Sequence, residues 1–94
     1  MRVRWLKAAL ANLDDLGEYI AEDNPAAAGR MVLRILAEAE LLKDNPAMGR
    51  AGRVAGTREL VVAGAPYILP YRVRGNVVEI LRVLHGARRW PEKF

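Results

Sequence analysis

The chain has 94 residues, 52% of them apolar and 28% charged, a balance that excludes a disordered polymer and fits one globular domain spanning 1–94. With no cysteine and one histidine, it offers neither a disulfide framework nor a zinc set, and no metal or other cofactor is expected. The formal charge of +4 is uneven: residues 1–44 hold six Lys/Arg against eight Asp/Glu, and residues 45–94 hold nine against three.

Residues 1–5 alternate apolar and basic side chains and read as a short strand. Lys7 to Asp23 reads as a helix, with Leu6, Leu10, Leu13, Gly17 and Ile20 on one face at spacings of four and three. Asn24-Pro25 starts a second helix, because Asn caps well and Pro suits the first helical position. Ala28, Val32, Ile35, Ala39 and Leu42 form its face, widened by Met31, Leu36 and Leu41. Asn45-Pro46 ends it, since a residue before proline is pushed out of the helical region. The short connection predicts an antiparallel helix hairpin. Residues 45–57 are Gly-rich and carry Arg50 and Arg53. They read either as a functional loop or as a plain connector.

Arg58 to His85 reads as three β runs separated by Gly64-Ala65-Pro66 and Gly75-Asn76 turns, an antiparallel meander. The fold class is therefore α+β, in the order strand, helix, helix, three strands. A two-residue Gly75-Asn76 turn sets Arg74 against Val77, Arg72 against Glu79, Pro70 against Leu81 and Ile68 against Val83, with Pro66 near His85. One face then carries Arg72, Arg74, Glu79 and His85. The other, the core face, carries Tyr67, Leu69, Tyr71, Val73, Val78, Ile80 and Leu84. A slip of one residue inverts the assignment. Pro70 has no N–H for the ladder, so a bulge or an unpaired edge is expected there.

The basic sheet half suggests an anionic partner: nucleic acid, a ribosome or an acidic protein. His85 is the one imidazole, a candidate acid or base or else a packing residue. Arg72 facing Glu79 is a cross-strand ion pair. Trp90 is read as packing on the sheet edge, while Arg88 and Arg89 either bind phosphates or are solvated. No apolar run reaches the ~20 residues of a membrane span, and Met1–Lys7 lacks the apolar core of a signal peptide, so a cytoplasmic location away from membranes is expected.

Asn45-Pro46 with Gly49-Arg50, Thr57-Arg58-Glu59-Leu60, Pro66-Tyr67-Ile68 with Tyr71-Arg72-Val73, and Glu79 through Gly86 occur in the order and spacing of a known family. Over essentially its whole length the chain resembles the RelE/ParE superfamily of bacterial type II toxins. That resemblance implies a growth-inhibitory toxin neutralised by a cognate antitoxin, with operator DNA engaged only through the antitoxin. RelE-like members cut mRNA on the ribosome. ParE-like members poison DNA gyrase. Cutting members place an Arg where this chain has Ile68, which favours the ParE-like reading. Under the nuclease alternative, His85 would act with Arg72 or Arg58 as the cation. A third reading is a toxin that persists only as a co-repressor. The residues expected at partner surfaces are Arg58, Arg72, Arg82, Arg88, Arg89 and Trp90.

Overall fold

The computed structural model describes residues 1–94. Its elements are β1 (Arg2–Trp5), α1 (Lys7–Asp23), α2 (Pro25–Glu40), a single 3-10 turn (Leu41–Lys43), β2 (Arg50–Ala51), β3 (Arg58–Val61), β4 (Tyr67–Arg74), β5 (Val77–Ile80) and β6 (Leu84–His85). No helix is long and apolar enough to cross a membrane.

The start of α1 is set by the sheet: its cap position, Leu6, has no capping side chain, and the Leu6 N–H donates to the Ile80 carbonyl at 3.0 Å. The buried face of α1 is Ala9, Leu13 and Leu16. Leu10, expected on that face, is 45% exposed, because the buried stripe is rotated by one position along the helix. Gly17 faces α2, where a Cβ would meet Val32 Cγ2 at 3.4 Å. At the head of α2, Asn24 Oδ1 accepts from the Ala27 N–H at 3.0 Å and Pro25 occupies the first turn, as the sequence implies. Ala28, Ile35, Ala39 and Leu42 are buried, but Leu36 and Leu41 point outward. The helix also stops short of Asn45-Pro46, at Glu40, and tightens into the 3-10 turn.

The sheet runs β1-β5-β4-β3-β2, with β6 also paired to β4. β1 is parallel to β5 and every other pair is antiparallel. The expected meander is present, flanked by two more strands. One of these, β2, lies in the Gly-rich loop and pairs with β3, so that loop is part of the sheet rather than a plain connector. Gly75, at φ +58°, turns the β4–β5 hairpin where left-handed backbone favours glycine.

The third run is not continuous. Arg74 opposes Val77 and Arg72 opposes Glu79, as expected, but beyond Pro70 the register shifts. Ile68 opposes Leu84 and Tyr67 opposes His85, so five residues of β4 match six on the partner. The cause is local. Pro70 accepts from the Leu81 N–H at 2.9 Å but cannot donate, and the extra residue is absorbed in the break. The Val83 N–H turns to Asn12 Oδ1 on α1 at 3.1 Å. The expected pairs of Ile68 with Val83 and Pro66 with His85 are therefore replaced.

The core lies between the helices and one sheet face. Ala9, Leu13, Ile35, Ala39 and Leu42 pack with Leu69, Tyr71, Val78 and Ile80 in one cluster. Val73, expected in the core, is 43% exposed near the end of the β4–β5 hairpin.

Candidate functional site

The register shift decides where His85 goes. Opposed residues share a face, so His85 lies on the side of Tyr67 and not beside Arg72 and Glu79. Its ring meets Tyr67 edge-on, with centroids 5.8 Å apart and planes at 83°. His85 Nδ1 accepts from the Ala87 N–H at 3.2 Å, which directs a neutral ring to carry its proton on Nε2.

Around His85 opens a cleft of about 520 Å³ between α1 and the C-terminal segment. Asn12, Asp15 and Tyr19 line one wall, and Tyr67 and His85 the floor. Arg88, Arg89 and Trp90 form the other wall, so four of the residues read from the sequence, these three and His85, do converge. The Trp90 indole N–H donates to the His85 carbonyl at 3.3 Å, and the Arg53 guanidinium sits 3.8 Å over the indole ring. Trp90 is thus held to the β6 backbone with a cation stacked on its ring. The contributions of Asn12, Asp15 and Tyr19 were not legible in the sequence, because they belong to the polar side of α1 and reach the cleft through tertiary packing.

Arg72 and Arg58 are elsewhere. The Arg72 Nε donates to Glu79 Oε1 at 2.7 Å, the ion pair that the hairpin register implies. Arg4 and Arg74 each approach the same carboxylate at 3.7 Å. The hydrogen bond from Arg72 holds the Glu79 carboxyl below its usual range, aided by the charges of Arg72, Arg74 and Arg4 and opposed by burial. Arg58 donates from Nη1 to the Gly49 carbonyl at 2.9 Å and so ties β3 to the preceding loop. Tyr67 and Arg72 are five residues apart on β4, a separation of ~16 Å along the strand. His85 therefore lies opposite Tyr67, four to five strand positions from Tyr71 and Arg72, while Arg58 opposes Tyr71. Arg82 lies in the break between β5 and β6, half-buried, and is part of neither cluster.

A second carboxylate was missed from sequence. Glu59 is 2% exposed, held by Arg50 at 3.0 Å and by the Arg53 backbone N–H at 2.8 Å. Nothing in the run Arg58-Glu59-Leu60 marks it as buried, since the groups that cover it come from the loop. That loop is anchored by Tyr71. Its hydroxyl donates to the Pro46 carbonyl at 2.7 Å and accepts from the Gly49 N–H at 2.8 Å. Burial raises the Tyr71 pKa, while the Gly49 hydrogen bond and Arg58 act to lower it.

Residues 3–90 match the family model described as the ParE toxin of the type II toxin-antitoxin system, parDE. The chain is 50% identical to a putative toxin, Y4kP, of Sinorhizobium fredii over 97% of this chain and 94% of that one. It is 41% identical to toxin RelE2 of Caulobacter vibrioides, over 93% and 97% of the two chains. Among solved structures, a chain of the chromosomal ParDE TA system from P. aeruginosa superposes with a TM-score of 0.80 at 31% identity, covering 88% of this chain and 92% of that one.

Proposed function

Because the chain belongs to the ParE toxin family of type II toxin–antitoxin systems, we propose that it arrests growth by poisoning DNA gyrase and is neutralised by a cognate antitoxin. The observation that supports the gyrase reading is the scattering of the candidate catalytic groups. Metal-free RNA cleavage needs a base, an acid and a cation converging on one phosphate. Here His85 sits against Tyr67. Arg72 is bound to Glu79, and Arg58 to a loop carbonyl. Ile68 occupies the strand position where cutting members of the superfamily carry a cation. The antitoxin partner is supported by the ParDE neighbour.

Inducing the chain alone in a bacterium tests the target. Gyrase-linked DNA breaks with intact mRNA, and toxicity retained by His85→Ala, are the expected results. Codon-phased mRNA cuts that vanish in His85→Ala would overturn the gyrase reading in favour of a ribosome-dependent nuclease centred on the cleft. No toxicity at all would leave the co-repressor reading.

A further inference from the structure

The sheet face turned away from the helices collects charge of one sign. Strand register places Arg2 and Arg4 of β1, Arg50 of β2, and Arg72 and Arg74 of β4 on it, and the loop adds Arg53. Glu59 and Glu79 share the face, both buried under these guanidiniums. Six arginines and two glutamates leave a surplus of four, which equals the formal net charge of the whole chain, +4. The remaining charged residues balance, so the net charge resides on one side of the sheet.

The two carboxylates act as anchors and not as neutralisers. Each fixes the near side of a set of guanidiniums. The side chains of Arg4, Arg50, Arg53 and Arg74 remain 51–67% exposed. Every guanidinium has five N–H donors, and the carboxylates engage at most two on any of them. Donors held in this way lose little freedom when an outside anion binds. The row crosses five strands, roughly 19 Å at ~4.8 Å per strand. That width spans several phosphates of a duplex carrying one charge per ~1.7 Å of axis.

In place of the expectation that DNA is engaged only through the antitoxin, we propose that this arginine face docks the phosphate backbone of duplex DNA directly, through the toxin's own residues. Two features favour a duplex. Single-stranded nucleic acid is held by stacking bases on open aromatic rings, whereas Trp90 is capped by Arg53. An acidic protein segment that folds on binding needs apolar anchors. The most exposed large apolar side chains, Tyr19 and Leu33, lie on the helices, and Val61 at the end of β3 is the single exposed large apolar strand residue on the arginine face. The inference is independent of the enzyme that the toxin poisons.

Fluorescence anisotropy with a mixed-sequence 20-base-pair duplex, purified toxin and no gyrase tests it. Binding near a Kd of ~10 µM at 50 mM salt is expected, weakening about 40- to 150-fold by 200 mM if three to four phosphates are contacted. The double variant Arg2→Ala/Arg74→Ala leaves the 2.7 Å contact of Arg72 with Glu79 in place. It should fold, bind at least ~10-fold more weakly and show a salt slope shallower by about two. Arg30→Ala, on exposed α2 surface, should bind like the parent. Absence of salt-dependent binding, or equal loss in Arg30→Ala, overturns the proposal. Tighter binding of single-stranded RNA of the same length, or displacement of the duplex by polyglutamate at equal charge, overturns the assignment to duplex DNA.

Discussion

Replacing Tyr71 by Phe removes one oxygen atom from a fully buried side chain and leaves the ring packing intact. That oxygen serves two backbone groups 25 and 22 residues away in sequence, the Pro46 carbonyl and the Gly49 N–H. Gly49 is so close that a Cβ there would lie 2.6 Å from Tyr71 Cε1, which leaves little room for a replacement water. Losing the bond to Pro46 costs about 0.5–1.5 kcal/mol, and stranding a buried N–H costs about 1–3 kcal/mol more. The sum is roughly 2–4 kcal/mol. For a domain of this size that corresponds to a fall in Tm of roughly 10–25 °C. Urea unfolding followed by circular dichroism measures it, with an unchanged slope confirming that only the native state lost stability. Tyr67→Phe is the control, because its hydroxyl has no partner within the protein, and a change within ~0.5 kcal/mol is expected. A Tyr71→Phe loss no larger than that of Tyr67→Phe would refute the idea that this hydroxyl anchors the loop.

Two further outcomes are expected. The Glu79 carboxyl has a folded pKa below its ordinary value of 4.5, so its contribution to stability is fully present above that value and is lost as pH falls through the folded pKa. Acid unfolding of Arg72→Ala should therefore begin at higher pH than in the parent, and a coincident pair of curves would show that Arg72 does not set the shift. For the antitoxin, charge reversal at Arg82 isolates partner contact, since Arg58 and Arg72 are engaged inside the protein. Arg82→Glu should weaken antitoxin binding at least ~5-fold by calorimetry with unchanged Tm. Unaltered affinity removes Arg82 from the contact surface.

Sequence alone determined the order of the first strand, the two helices and the meander, but not β2 or the break that separates β6 from β5. The reasons are local: apolar spacing of three and four along α1 and α2, Asn24-Pro25 at a helix start, and Gly75 at a turn that requires left-handed backbone. It also carried the Arg72–Glu79 pair, because a two-residue turn dictates register close to itself. The reach of that inference ended at Pro70. A missing N–H predicts a fault in the ladder, but not which strand gains the residue. In the folded chain the added residue falls between β5 and β6, where Asn12 of α1 accepts from the Val83 N–H. The single added residue moved His85 to the side of Tyr67 and separated it from Arg72. Tertiary structure likewise decided the fates of Glu59 and Trp90. Their partners, Arg50 and Arg53, arrive from a Gly-rich loop whose own path is held by Tyr71. Local periodicity reports which side of an element is apolar. Only the folded chain places a guanidinium from one loop over a carboxylate on a strand nine residues away.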